Sequence, residues 1–298
     1  RDRTVVSIKG LSPYGDDLGT VTHNGLAEPT NIAVVTDSPT GIAKLLISYG
    51  ADAAPEELDD LHVDFVSRPE FEIFLAQVGD GPIPGVGALR TTIVVTNLAS
   101  STANGEIQFF SSNGNPLVVS NGEDSGSSFP LSIARGGSYS FTTDGESDPI
   151  GVGYARIVMD APVEGTAIFG IVSNSGAVTT EAGVGSAEGR LTMIGAVLKQ
   201  VEGNLDSGIA LVNGSDEAAD AVVELFDAQG RKVAGNSSFP SLGPGEHASA
   251  FLSQIFPTIA GNDFQGTVRI TSTVPMAAVI LRTANGLVLS SLPVGSLE

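Results

Sequence analysis

The sequence predicts an all-β protein with two tandem β-sandwich domains behind a smaller, partly β N-terminal segment. The main observation is that the second part of the chain repeats itself. Glycine supplies 37 of the 298 residues, and Ser, Thr, Asn and Val are also frequent, a composition typical of short strands joined by tight turns. Turn signals recur about every 8 to 12 residues, which is the spacing found in β-sandwiches.

The clearest repeat is a hairpin motif. GEIQFFSSNGNPL, at residues 105–117, returns without a gap as AVVELFDAQGRKV, 116 residues later. Each copy has alternating apolar residues, Ile107 and Phe109 or Val223 and Leu225, followed by a turn centred on glycine. Other matched positions are Asn97 and Asn213, Phe129 and Phe239, Gly136 and Gly245, Arg156 and Arg269, and Pro162 and Pro275.

These matches divide the chain into three parts. Residues 72–188 form the first repeat, residues 189–298 form the second, and residues 1–71 stand before them. In the first repeat, alternation and turn residues predict strands at 73–78, 91–97, 105–111, 116–119, 129–133, 138–142, 151–159, 165–172 and 177–181. The second repeat differs mainly in a longer connection at 253–263, where one helical turn fits. The segment GDGPIPGVG, at 79–87, reads as a Pro-rich loop.

The N-terminal 71 residues hold no complete repeat. A strand is expected at 3–10 and a turn at 12–17, and residues 31–49 resemble the late hairpin of the later copies. Residues 54–62 read as a short helix or an acidic loop. The segment is therefore either an incomplete repeat that packs on its neighbour or a strand-exchange arm, with residues 3–9 (RTVVSIK) as a donor strand for another copy.

Two phenylalanines break the inside–outside pattern of the hairpin motif. Phe110 and Phe226 each follow an inward residue, so strict alternation places both rings on the outer face. Either a β-bulge or a twist at the strand end turns the rings inward, or the two rings mark a contact surface between domains or subunits.

The charge balance limits the partners. With 34 acidic and 14 basic residues, the formal charge is −20, which disfavours nucleic acid and anionic membranes. No apolar run is long enough for a membrane helix. Because the sequence starts at Arg1 without a leader, we expect an exported protein, extracellular or on the cell surface, from which a signal peptide has been removed.

The sequence contains no catalytic or cofactor signature. Its histidines, His23, His62 and His247, are far apart and lack metal-site spacing, so each is expected at the surface. There are no cysteines, and no nucleophile elbow or phosphate loop occurs in a suitable context. We therefore predict no enzymatic activity, no catalytic residues and no cofactor.

Two loops, at 121–124 and 144–148, carry several hard oxygens, which are the ligands that calcium prefers. The sequence therefore leaves open whether they bind a metal. The same residues are also those that turns require. Sugar binding is disfavoured by the lack of Trp and the presence of only 4 Tyr. Asn213 and Asn236 each begin a formal glycosylation sequon.

The series TTIVVTN, IQFFSSNGNPL, FPLSIARGGS and DAPVEGTAIF resembles tandem immunoglobulin-like or fibronectin-like β-sandwich repeats of secreted bacterial surface proteins, over residues 72–298. Such repeats serve as stalks, adhesins or fibre subunits, and the resemblance implies a structural role without any transferable binding residue. The expected function is that of a filament or layer subunit assembled through β-strand contacts. The alternative is an adhesin or accessory polysaccharide-binding β-sandwich module, with or without a dependence on calcium.

Overall fold

The computed structural model describes residues 5–11, 17–24, 44–49, 71–236, 239–285 and 287–297. The predicted fold class is confirmed, because nearly all regular structure in these residues is antiparallel β-sheet. By compactness the chain divides into two units, Arg1–Arg68 and Pro69–Glu298. The domain boundaries predicted at residues 72 and 189 stay a prediction.

The first unit contains one three-stranded sheet, made of β1 (Val5–Leu11), β2 (Asp17–Asn24) and β3 (Lys44–Tyr49). Its order is β2-β1-β3, so β1 is hydrogen-bonded along both edges. Donation of residues 3–9 to another copy would therefore require two existing ladders to break. The turn expected at 12–17, apart from Asp17, and the helix or loop expected at 54–62 lie outside the described residues, as does most of the 31–49 hairpin.

The first repeat forms two facing antiparallel layers. One layer has the order β9-β6-β11-β4, and the other contains β10, β5, β12 and β13, with the end of β4 pairing with β5. The strands are β4 (Phe71–Ile83), β5 (Gly87–Asn97), β6 (Ala103–Ser111), β7 (Val119–Ser120), β8 (Ser125–Gly126), β9 (Ser128–Ile133), β10 (Ser138–Thr142), β11 (Gly151–Met159), β12 (Val163–Ser173) and β13 (Val178–Gly185).

The core of this repeat follows from strand alternation. Ile73, Ile107 and Ile157 lie side by side in the register of β4, β6 and β11, and all three are buried. Beside them the rings of Phe109 and Phe141 lie 5.3 Å apart between centroids, and both residues are almost completely buried. The two layers thus pack through the inward residues that the repeat pattern predicted.

The predicted loop at residues 79–87 is wrong, because this segment is a β-hairpin. β4 continues to Ile83, β5 begins at Gly87, and the backbone N–H of Val86 donates to the Ile83 carbonyl at 3.0 Å to close the turn. Its Pro and Gly content suggested a loop, but Pro82 lies opposite Ala88 at the end of the strand, where proline is tolerated.

The second repeat has a similar arrangement, and its main difference is the very long strand β19. One layer has the order β17-β16-β19-β14-β21, and in the other β15 pairs with β18 and β19, which also pairs with β20. The elements are β14 (Arg190–Lys199), β15 (Leu205–Val212), β16 (Ala221–Asp227), β17 (Lys232–Asn236), β18 (His247–Phe251), α1 (Leu252–Ile255), a 3-10 turn (Pro257–Ile259), β19 (Phe264–Ala284), β20 (Leu287–Leu292) and β21 (Val294–Ser296). The predicted helical turn is thus confirmed.

The register shows how the repeats correspond. Arg156 of β11 lies between Phe74 and Gln108, and Arg269 of β19 lies between Ile194 and Glu224. β19 serves both layers because it continues past Pro275, the position matched by Pro162, where the first repeat divides β11 from β12.

Candidate functional site at the junction of the two repeats

The two repeats pack face to face through an apolar layer. In β15 the alternate residues Ile209 and Leu211 enter the core of the second repeat, whereas Ala210 and Val212 point to the opposite side and are also buried. The outward set belongs to the same apolar cluster as Phe74 of β4, and its members are Ala210, Val212, Ala277, Val279 and Leu281. Burial on both faces explains why this segment reads as an unbroken apolar run.

Phe74 and Gly214 are in close contact at the junction. A Cβ atom at Gly214 would come within 2.2 Å of the Phe74 ring, which is far inside van der Waals contact. Phe74 is itself buried, although its position in β4 places it on the outer face of its own sandwich. The second repeat therefore covers this ring, and residue 214 must be small for the two surfaces to meet.

Tyr154 and Phe110 extend the contact along the same face. Their rings are stacked, with centroids 5.1 Å apart, and the Tyr154 hydroxyl donates to the Gly245 carbonyl of the second repeat at 2.9 Å. Burial raises the pKa of Tyr154 to about 12, so this donor stays protonated at neutral pH. Of the two alternatives for Phe110, the structure supports a contact surface between repeats, because its pairing with Tyr154 is regular.

Phe226, the matched ring of the second repeat, also stays on the outer face. The register with β17 shifts between Leu225 and Phe226, but the pairing of Phe226 with Thr267 on β19 remains regular. The Arg269 guanidinium lies 5.1 Å from the centre of its ring, a cation–π distance. A bulge is therefore present here without turning the ring inward.

His247 is a second polar link across the junction, beside the Tyr154 hydroxyl. Its Nε2 lies 3.2 Å from the Gln77 Oε1 and its Nδ1 lies 3.2 Å from the Ser112 Oγ, while its backbone N–H donates to the Ser112 carbonyl at 3.0 Å. Because an amide oxygen only accepts, the neutral ring carries its proton on Nε2 and accepts the Ser112 hydroxyl at Nδ1. The expected surface position is wrong for His247, which is only 3% exposed.

Burial also controls the charge of this histidine. The loss of solvation lowers the pKa of His247 to about 4, and a hydrogen bond to the backbone of Ala76 acts in the opposite direction. The imidazole is therefore neutral at pH 7. His23 lies in β2, away in sequence from the junction, and His62 lies outside the described residues.

A groove of about 360 Å3 opens beside these contacts. Its aromatic wall is formed by Phe74, Phe110 and Tyr154, and Arg156 lines it beside them. The opposite side comes from two loops of the second repeat, residues 214–216 and 244–245. Phe74 and Tyr154 are buried in the junction and Arg156 is paired with Glu72. Phe110 is therefore the one ring of this wall that is partly exposed to a ligand, beside Arg156 and the exposed Asp216. These residues are distant in sequence, so no sequence pattern indicated that they line one groove.

Both loops considered for calcium are held by hydrogen bonds within the protein. Asn121 Oδ1 accepts from the backbone N–H groups of Glu123 at 2.9 Å and Asp124 at 2.7 Å. In the second loop, buried Asp80 accepts from the Gly145 N–H at 2.8 Å and from the Ser147 hydroxyl at 2.5 Å. Among the residues that the structure describes, no group of three or more His, Asp or Glu side chains is placed to hold a metal ion.

Asn213 is unsuited to glycosylation in the folded chain. Its side chain is completely buried, and its Nδ2 donates to the carbonyls of Glu217, Leu242 and Gly243 at 2.7, 3.0 and 3.0 Å. The side chain of Asn236 lies outside the described part. No helix in the described ranges is long and apolar enough to cross a membrane.

Comparison with known protein families, with curated proteins and with solved structures finds no match to this chain. The described sheets are consistent with two β-sandwich domains, and no family is identified. The function therefore has to be argued from the geometry of the chain itself.

Proposed function

We propose that this chain is a non-catalytic extracellular structural protein, a subunit of a surface filament or layer whose copies associate through their β-sheets. The observation that carries the proposal is the junction between the repeats. Tandem domains commonly move relative to each other unless their interface is extensive and apolar. Here a shared apolar layer, the Tyr154 hydroxyl and His247 join the two sandwiches into one body, which suits a load-bearing or spacing role.

Several other features agree with this role. The resemblance of residues 72–298 to immunoglobulin-like or fibronectin-like repeats of secreted bacterial surface proteins implies stalks or fibre subunits. We do not assign the assembly to a donor strand at residues 3–9, because β1 already has partners on both edges. The sheet faces of the repeats are the better candidates for contacts between copies.

The negative charge of the chain gives the proposal a measurable property. Copies with a formal charge of −20 repel one another, and salt screens that repulsion over a Debye length of about 8 Å at physiological ionic strength. Assembly should therefore be favoured by salt. Calcium would act in the same direction by neutralising exposed carboxylates.

A second function, binding of an extracellular polysaccharide, is favoured by the groove at the junction. The partly exposed Phe110 can stack on a sugar ring there, and Arg156 and Asp216 can hydrogen-bond it. In this role the chain would be an adhesin or an accessory module and would act as a monomer.

Negative-stain electron microscopy and sedimentation velocity of the full chain, over a range of protein and salt concentrations, separate the two functions. A structural subunit should form filaments, layers or an extending series of oligomers. A protein that stays monomeric under every condition and binds polysaccharide on an immobilised glycan series would contradict the proposal and support the second function.

A further inference from the structure

The junction inside the chain has two sides, and each side has an unused counterpart on the other repeat. The receiving side is the outer face of β4, β6 and β11, with Phe74, Tyr154 and Phe110. The inserted side is the outer face of β15 and β19, where Ala210 lies opposite Val279 and Gly208 lies opposite Leu281. Because the two repeats align, the positions that match the receiving side can be located on the second repeat, and those that match the inserted side on the first repeat.

The second repeat carries a receiving face of its own. In the register aligned by Arg156 and Arg269, Phe74 corresponds to Ile194 and Phe110 corresponds to Phe226. Beside them, Ala196 and Val222 are exposed, the latter at 46%. Ile194 and Phe226 are half-exposed, with Arg269 lying over the Phe226 ring, and Thr267 takes the place of Tyr154.

The first repeat carries an inserted face. Val94 lies opposite Thr166, and Thr92 lies opposite Ile168, on the outer side of β5 and β12. These four β-branched residues are half-exposed and correspond in register to Ala210, Val279, Gly208 and Leu281. None of these four side chains is charged, but Glu164 and Thr96 stand beside them, at the positions of Ala277 and Val212 in the internal junction.

The key contact of the junction changes in a compensating way. Internally, the large Phe74 meets Gly214, where no side chain fits. At the matched positions the receiving residue is the smaller Ile194, and the residue that replaces Gly214 is Leu98, which is 61% exposed. A smaller residue on one face is therefore matched by a larger one on the other, and Ile194 and Leu98 together are larger than Phe74 and Gly214, so the two copies would meet at a slightly greater separation here.

The glycine turns at the edge of the junction also have counterparts on the two outer faces. At the internal junction the turns at Gly114 and Gly245 touch, and a Cβ on Gly114 would lie 3.0 Å from the Gly245 carbonyl oxygen. Their counterparts, Gly230 and Gly136, have the same left-handed backbone with φ of 74° and 64°. A Cβ on either of them would meet nothing within 4 Å, so both turns are free.

From these matched but open surfaces we propose that a second copy of this chain docks the outer face of its β5 and β12 onto the outer face of β14, β16 and β19, repeating the internal junction between molecules. This inference rests on the proposed structural function and names the contact that assembly would use. The two surfaces differ, so the contact is head-to-tail and extends into a filament unless its rotation closes a ring. Ser138 replaces His247 at the matched position, which removes the imidazole bridge and makes the contact weaker than the internal one.

The test compares four full-length proteins by sedimentation velocity and light scattering. Leu98→Glu alters only the inserted face and Ala196→Glu only the receiving face, and both positions are exposed, so folding is preserved. Val86→Glu, in the β4–β5 turn and 41% exposed, is the matched control with the same added charge. Wild type and V86E should form the same extending series of oligomers, whereas L98E and A196E should each remain monomeric.

An equimolar mixture of the two defective variants makes the test specific. Each variant retains one intact face, so the mixture should stop at dimers, an outcome that general loss of stability or solubility would not produce. Assembly of L98E and A196E equal to that of wild type would overturn this contact and leave the structural function standing. Failure of wild type itself to assemble at any concentration would overturn both.

Discussion

Two matched asparagines show how one side chain can hold a whole loop region of each sandwich. Asn97 Nδ2 donates to the carbonyls of Ser101, Ile133 and Ala134 at 2.8, 2.8 and 3.2 Å, and Asn213 makes the corresponding set of bonds. Each Oδ1 accepts the backbone N–H two residues further on. The repeat in the sequence located both residues, but only the fold shows why an amide is needed there.

Replacement of Asn213 by alanine should lower the free energy of unfolding by about 3 kcal/mol, because buried carbonyl oxygens lose their donor without gaining water. Asn213→Asp should be at least as harmful, since a carboxylate only accepts. Urea unfolding monitored by circular dichroism measures both. The control is Asn115→Ala, in an exposed turn, and an equal loss in this control would remove the special role of Asn213.

The inward residues of the hairpin motif give a second prediction. Phe109→Ala and Leu225→Ala should each cost about 2 to 5 kcal/mol of stability, because each side chain is nearly or completely buried in its own core. Val222→Ala, on the exposed side of the same strand as Leu225, should cost much less. Unchanged melting temperatures for both core variants would show that the register of the two strands is wrong.

His247 makes the stability of the junction depend on pH. Its pKa is lowered from 6.5 to about 4, so between these values the unfolded chain binds a proton that the folded chain does not. Stability from this group is complete above pH 6.5 and is lost as the pH falls towards 4, by up to about 3 kcal/mol. Tyr154, the nearby ring, stays neutral across this range.

The measurement compares unfolding free energies of wild type and His247→Gln at pH 7 and pH 4.5. Glutamine keeps hydrogen-bonding capacity without titrating, so the variant should lose less stability on acidification than wild type. The acidic residues titrate in both proteins and cancel in the difference. An identical pH dependence for the two proteins would show that His247 does not control the acid response.

The strands themselves were largely predictable from local pattern. Alternating apolar residues placed β6, β9, β10, β11 and β12 within one or two residues of their ends, because side chains alternate between core and surface along these strands, whereas β5 begins four residues before the predicted start. The hairpin at residues 79–87 was missed, since its pairing depends on a neighbouring strand and its composition resembles a loop. The local pattern also could not show that the outward-facing rings of Phe74 and Phe110 are covered, because the residues that cover them belong to the other repeat.

The packing between elements at the junction can be tested with Gly214. Gly214→Ala should lower stability by about 1 to 3 kcal/mol, because its Cβ would overlap the Phe74 ring. Adding Phe74→Leu should recover part of this loss by shortening the opposing side chain. Gly185→Ala is the control, since a Cβ there meets nothing within 4 Å. Strictly additive effects of the two junction substitutions would contradict direct contact between these residues.

Across the described part of Pro69–Glu298, the sandwiches stack so that two sheets form the outer layers and two meet at the junction. A further bond from the Ser291 hydroxyl to the Gly183 carbonyl, at 2.6 Å, joins the repeats away from His247. The composition and the repeat predicted two sandwiches, but they could not tell whether these are flexibly linked or fused. That distinction depends on contacts between residues far apart in sequence.

Hydrogen exchange of the full chain, followed by mass spectrometry, tests the claim that the two repeats behave as one body. Peptides that contain the buried core strands β5 and β15 should show the same opening free energy, because opening either sandwich exposes the apolar layer it shares with the other. Gly214→Ala should separate the two values by weakening that layer. If the wild-type core of one repeat opened more easily than the other by more than about 2 kcal/mol, the repeats would be independent domains and the account would be contradicted.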